Sequence, residues 1–129
     1  MAAFDPVADR TALQASLARP DTRLVVCLCA AWCGTCREYR EAFDALAARR
    51  PHLCFVWVDI ETHADWLGDF DIENFPTLLV QDANSAPDTA QFFGPLLPTI
   101  GILERMLDGA TLGTGAVQAP ELRPYLSAV

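Results

Sequence analysis

Lysine is absent from this chain: all 9 basic residues are arginine, set against 17 acidic ones for a net charge of -8. A surface so poor in cations is unsuited to nucleic-acid phosphates, whose binding rests on neutralising backbone charge. It is equally unsuited to an anionic membrane surface. Long apolar runs are missing too, and none approaches the roughly 20 residues of a bilayer-spanning helix. The start, Met1 to Arg10, carries no basic cluster followed by an apolar segment, so no export signal is expected. The two histidines, His52 and His63, stand at no metal-ligand spacing, and they are assigned no role. Disorder is excluded by the balance of 52% hydrophobic to 20% charged residues, and 129 residues suffice for one sizeable core.

Apolar patterning predicts alternating helices and strands. Residues 1 to 5 have a weak edge-strand signal. Asp9 to Ala18 reads as a helix with Ala12, Leu13 and Leu17 inward, broken by Pro20. Leu24 to Cys29 is a strand apolar throughout, as one covered on both faces would be. A helix follows from Cys33 to Arg50, with Tyr39, Phe43 and Leu46 recurring on one side beside Ala42 and Ala47. Arg37, Glu38, Arg40, Glu41 and Asp44 fill its wet face. Leu53 to Val58 is a second buried strand, and a strand–helix–strand unit implies parallel pairing. Thr62 to Asp65 has the spacing of a capping box for a short helix reaching Gly68. Thr77 to Gln81 and Thr89 to Phe93 read as a hairpin around a polar turn, Asp82 to Asp88. Pro98 to Asp108 is a closing helix with Ile100, Leu103 and Leu107 inward and Gly109 as its stop. Gly113 to Pro120 looks loosely held, and Pro120 to Leu126 reads as a turn or short helix docking Tyr125 and Leu126. The expected organisation is one α/β domain, residues 1–109, with a mixed sheet flanked by helices on both faces. Residues 110–129 form an extension docked on it or trailing from it.

The chemistry concentrates at the first strand–helix junction, Ala30-Ala31-Trp32-Cys33-Gly34-Thr35-Cys36-Arg37. The first backbone N–H groups of a helix lack intrahelical partners, and the macrodipole places partial positive charge there. A thiol at such an end ionises more readily, and the thiolate is the form that attacks disulfides. Cys33 at the helix start is the expected nucleophile. Cys36, one turn further in, is the expected buried resolving thiol, close enough to close a small disulfide ring with it. Gly34 is expected to allow a tight turn between them. A structural zinc site would need two more ligands, and there is no second C-x-x-C and no H-x-x-H. No metal and no cofactor are therefore expected. Cys27, Cys29 and Cys54 lie in apolar strands, where cysteine mostly packs as a small hydrophobe; for Cys29 a third redox thiol is the lesser alternative, since reactivity needs exposure and a lowered pKa.

The segment Trp32-Cys33-Gly34-Thr35-Cys36 after an apolar strand resembles the active site of the thioredoxin family. Asn74-Phe75-Pro76-Thr77-Leu78-Leu79-Val80 resembles that family's cis-proline loop and the strand after it. The resemblance runs from about Leu24 to about Leu107. It implies a thioredoxin-like fold and a cis bond before Pro76, where cis costs little. It also implies a loop, Phe75 and Pro76, facing the dithiol and pairing with an incoming peptide, with Trp32 shielding one side. Thr35 stands where the family's type member has proline, a position that shifts redox poise. The family's buried aspartate falls on Cys27 and its companion lysine on Trp57, so a charged pair is replaced by neutral groups. This removes the general base expected to activate Cys36.

These residues point to a cytoplasmic thiol–disulfide oxidoreductase, monomeric or weakly dimeric. Its partners would be protein disulfide substrates and an unidentified electron-donor reductase. The alternative is a thioredoxin-fold binding or chaperone-like module, or a redox sensor, with little turnover. The acidic stretch Asp59 to Glu73, with Glu73 three residues before Pro76, would make a rim favouring basic partners.

Overall fold

Six consecutive buried residues, Leu24–Cys29, form strand β1 at the middle of the molecule. In a strand, alternate side chains face opposite sides, so a wholly buried strand requires cover on both. The computed structural model describes residues 3–83, 85–109 and 117–127 and shows where that cover comes from. Helix α1 (Arg10–Leu17) precedes β1, and helix α2 (Gly34–Arg49) follows it. Strand β2 (Cys54–Asp59) and a 3₁₀ turn (Ala64–Leu67) come next, then β3 (Thr77–Gln81), β4 (Thr89–Ala90) and β5 (Phe92–Pro95). Helix α3 (Ile100–Leu107), β6 (Val117–Gln118) and α4 (Arg123–Ser127) complete the described chain.

The main sheet has the order β2-β1-β3-β5. β1 and β2 are parallel, with Cys27 beside Trp57 and Cys29 beside Asp59. β3 is antiparallel to both β1 and β5. Val25, Cys27 and Cys29 meet Cys36, Tyr39, Phe43 and Leu46 of α2 and Leu103 and Met106 of α3. Leu24, Val26 and Leu28 meet Leu13 of α1, Leu67 of the 3₁₀ turn, and Leu122 and Leu126. A mixed sheet with helices on both faces is thus the architecture. The weak strand expected at residues 1 to 5 is a single bridge, Phe4 to Val56, closing the outer edge of β2.

Four expectations change. Ala12 is exposed, and the inward positions of α1 are Leu13 and Ser16. The capping box does not form: the short helix is 3₁₀, its N-cap is His63, and no side chain caps it. The carboxylate of Asp59 instead accepts the N–H groups of Glu61 and Thr62 at 2.8 and 3.2 Å, ordering the approach to the turn. The hairpin partner of β3 is Phe92–Pro95, while Thr89 and Ala90 form β4 and pair with β6. That pairing holds Val117 and Gln118, within the stretch expected to be loose; residues 113–116 of it lie outside the described residues.

The C-terminal segment packs where its apolar residues direct it. Leu122 and Leu126 are buried with Leu13 of α1. Tyr125 stays half exposed but stacks on Trp66 at 5.4 Å, and Trp66 stacks on His63 at 3.9 Å. Arg123 donates to the buried Gln81 side chain at 3.0 Å. Removing a buried leucine side chain costs about 2–5 kcal/mol when the site cannot collapse. Leu126→Ala should therefore lower the unfolding free energy read from urea denaturation by an amount in that range, and the midpoint should fall with it. A midpoint equal to that of the parent would mean that α4 contributes no packing in solution.

Candidate active site

β1 and β2 run parallel, and their C-terminal ends, Cys29 and Asp59, lie side by side beneath the start of α2. Open sheets place their binding crevices at such strand ends. The loop from β1 to α2 is tied down from three sides. Cys33 N–H donates to the Ala30 carbonyl at 3.1 Å. Ala31 N–H donates to Asp59 at 3.2 Å. The Arg37 guanidinium reaches back to the Ala31 carbonyl at 2.9 Å. Cys33 is the N-cap of α2, with extended backbone, and is half-buried. Cys36 lies in the first turn on the stripe that continues through Tyr39, Phe43 and Leu46, and it is buried. Gly34 and Thr35, between them, are exposed. Gly34 is not at positive φ, and a Cβ there would meet only Arg37, at an ordinary 3.7 Å. The tight turn expected of it is an ordinary helix start.

Cys36 is disulfide-bonded, and its partner is Cys29. The ring expected between Cys33 and Cys36 is not the one present; Cys33 is a free thiol. The cause is geometric. Strand alternation turns Cys29, like Cys27 and Val25, toward α2, and the helical stripe turns Cys36 toward the sheet. Their Cα atoms are 5.8 Å apart, within disulfide reach. Cys33, ahead of the first helical turn, lies off the stripe. Packing, the main role expected of Cys29, is therefore corrected: Cys29 is a disulfide partner. Cys27 Sγ sits 3.9 Å from Cys29 Sγ. Burial pushes the Cys27 thiol well above the usual thiol range, with Arg40 pulling weakly the other way, so Cys27 is neutral. Cys54 is likewise raised by burial, on the opposite face of the sheet.

The second predicted loop arrives at the same place. The Phe75–Pro76 bond is cis, Pro76 is buried, and Phe75 meets Trp32 edge to face at 5.7 Å. Trp32 is 64% exposed, so it is no core tryptophan but part of the rim. Glu73, Glu61, Asp65, Asp69 and Asp71 are exposed to solvent.

Arg40 is the residue that sequence reasoning misplaced. It pairs with Asp44 at 3.5 Å, as its helical spacing suggests. Its guanidinium also lies 4.9 Å over the ring of Trp57, a cation–π contact made from α2. A positive charge thus stands close to Cys27 although β2 supplies none. Tyr39 completes this neighbourhood: its buried hydroxyl has no hydrogen-bond partner among the described residues. Arg37, Arg40, Asp59 and Cys36 line a cleft of about 630 Å³ with Asp5, Trp57 and His63. Among the described residues, no group of three or more His, Cys, Asp or Glu side chains is placed to hold a metal.

A family model described as Thioredoxin matches residues 6–95. The chain belongs to the thioredoxin family. Its curated relatives include a putative thioredoxin H10 of Arabidopsis thaliana, 38% identical over 56 residues, which are 43% of this chain and 36% of that protein. Thioredoxin C-3 of Corynebacterium nephridii is 26% identical over 80 residues, 62% of this chain and 54% of that one. The chain thus matches about a third to a half of the length of these relatives. Among solved structures, the germline-specific thioredoxin Deadhead of Drosophila melanogaster superposes with a TM-score of 0.65 at 17% identity, covering 86% of this chain and 100% of that one. At that identity the likeness establishes the thioredoxin fold.

Exposure separates the thiols of the reduced protein. Brief iodoacetamide treatment near neutral pH should modify Cys33 well ahead of Cys36, Cys27 and Cys54, as followed by peptide mass spectrometry. If Cys36 were alkylated first, the order of burial described here would not hold in solution.

Proposed function

We propose that this protein is a thiol–disulfide oxidoreductase acting on protein disulfides. The observation that carries the reading is an accessible cysteine at a helix start, one turn before a buried cysteine already engaged in a disulfide. Membership of the thioredoxin family supports it. In this reading Cys33 attacks the substrate disulfide, and Cys36 resolves the mixed disulfide and releases the reduced partner. Trp32, Gly34 and Thr35 form one lip of the docking groove. Phe75 and the cis-linked Pro76 form the other, where main-chain groups receive an extended peptide. An electron-donor reductase restores the thiols. The absence of lysine and the net charge of -8 support protein rather than nucleic-acid partners. No described helix is long and apolar enough to cross a membrane. The reading assigns the protein to the cytoplasm as a monomer or weak dimer.

Insulin reduction in the presence of dithiothreitol is the direct test. The parent should accelerate precipitation of the insulin B chain. Cys33→Ser should lower the rate by about 100-fold or more, as loss of a covalent nucleophile does. A parent no faster than dithiothreitol alone would instead favour a module that binds partners at this rim without turnover.

Cys27 supplies a second test. A neutral, buried thiol cannot act as a general base for resolution, so this step should be slow. Cys27→Asp should raise the insulin rate. A new buried carboxyl costs on the order of 1–3 kcal/mol when unpaired. Arg40 and the unpartnered Tyr39 hydroxyl stand nearby, so the loss read from urea denaturation should fall at the low end of that range. Cys27→Ala should keep the parental rate. Unchanged kinetics in Cys27→Asp would mean that the missing carboxylate does not limit turnover.

A further inference from the structure

Four cysteines converge at the end of β1 and the start of α2, and a two-thiol mechanism uses only two of them. Cys27 and Cys29 come from the strand, Cys33 and Cys36 from the helix, and all four belong to one cluster. The bond present joins the two most deeply placed of the outer three: Cys29 is 0% and Cys36 1% exposed. Cys33, the one with access to solvent, is left free.

We propose that Cys29 is a third catalytic thiol, which draws the disulfide inward from Cys33–Cys36 to Cys29–Cys36 and leaves Cys33 free in the oxidised protein. This rests on the oxidoreductase reading above and extends it by one step. In the first step the Cys33 thiolate attacks the substrate disulfide, forming a Cys33–substrate bond and expelling one substrate thiolate. In the second, the Cys36 thiolate attacks Cys33 Sγ, forming Cys33–Cys36 and expelling the other. In the third, Cys29 attacks Cys36 Sγ, giving up its proton as the bond forms. The Cys29–Cys36 bond forms, the Cys33–Cys36 bond breaks, and Cys33 departs as a thiolate. Cys29, being buried, loses its proton only as it attacks, and that proton neutralises the departing Cys33. No electrons enter or leave in this last step. Across all three, one substrate disulfide becomes two thiols, and two of the three protein thiols become one disulfide.

Burial gives the step a direction of access. An external reductant attacks a sulfur it can reach; Cys29 is 0% exposed, and Cys36, although it lines the cleft, is only 1% exposed. Cys33, packed partly against the same cluster, is the thiol placed to reopen the bond by attacking Cys36. Cys33 therefore acts as nucleophile toward substrate and as gate for reduction. Cys27, neutral and 3.9 Å from Cys29 Sγ, lines the inner end of the relay without a redox change of its own.

The test is a disulfide map. Reduced full-length protein is oxidised with one equivalent of diamide, blocked with N-ethylmaleimide and cut with chymotrypsin. Cleavage after Leu28 and Trp32 puts Cys27, Cys29 and the Cys33/Cys36 pair on three different peptides. The expected product is a cross-link between the Cys29 peptide and the Cys33/Cys36 peptide, with maleimide on Cys33. An internal loop in the Cys33/Cys36 peptide, with maleimide on Cys29, overturns the proposal. Cys29→Ser treated in the same way should give that internal loop and lose the maleimide on Cys33. Oxidised Cys33→Ser should be reduced by dithiothreitol at least about tenfold more slowly than the oxidised parent, since the gate is missing. Equal rates would remove Cys33 from reopening. The map is read without any protein substrate. A Cys33–Cys36 loop in a protein that still reduces insulin therefore strikes the relay alone, whereas failure with insulin strikes the oxidoreductase reading.

Discussion

One helical stripe over one strand face holds this structure in place: Cys36, Tyr39, Phe43 and Leu46 of α2 on Val25, Cys27 and Cys29 of β1. Each large apolar side chain buried in such a contact contributes about 1.5–3 kcal/mol. Phe43 sits at its centre, edge to face with Phe55 at 5.3 Å and with Trp57 at 5.8 Å. The same contact sets the geometry of the disulfide. A helix that must lay its third residue on the sheet brings the Cys36 sulfur to the last residue of β1, and there that residue is a cysteine. Packing and chemistry are here one constraint, and a shift of α2 along β1 would disturb both.

Much of this was legible in the chain because it depends on short-range rules. β1 declared itself by six apolar residues in a row, and α2 by the recurrence of Tyr39, Phe43 and Leu46. The meeting of the Trp32 and Phe75 loops followed from two motifs far apart in the chain. What escaped was long-range pairing. Cys29 and Cys36 are seven residues apart, and the C-x-x-C spacing drew attention to the nearer thiol. The signal was present, since Cys29 shares the parity of Cys27 and Val25 and so faces α2. Thr62 has capping-box spacing, but Asp59, at the end of β2, reaches the backbone groups first. The β4–β6 pair joins segments separated by β5 and the whole of α3, which no local pattern reveals.

The site's electrostatics also differ from what the family resemblance implies. Cys27 and Trp57, where the resemblance leads one to expect a charged pair, are neutral, and a positive charge is supplied by Arg40 from α2, resting on the Trp57 ring. A cation stacked on an aromatic face avoids part of the penalty of full burial. The dithiol region thus keeps a nearby cation without a buried ion pair, inside a surface otherwise dominated by carboxylates.

The borders of the main sheet have a bearing on how this protein behaves at high concentration. Unpaired strand borders are templates on which other chains can add, and natural sheets blunt them. On one side the Phe4 backbone occupies β2, donating to Phe55 at 2.8 Å and accepting from Trp57 at 3.0 Å. On the other, β5 has only four residues and ends at Pro95, which has no N–H to offer a neighbour. A chain more than half hydrophobic is thereby given little flat border on which copies could polymerise, and its colloidal behaviour rests on that closure as much as on its negative charge.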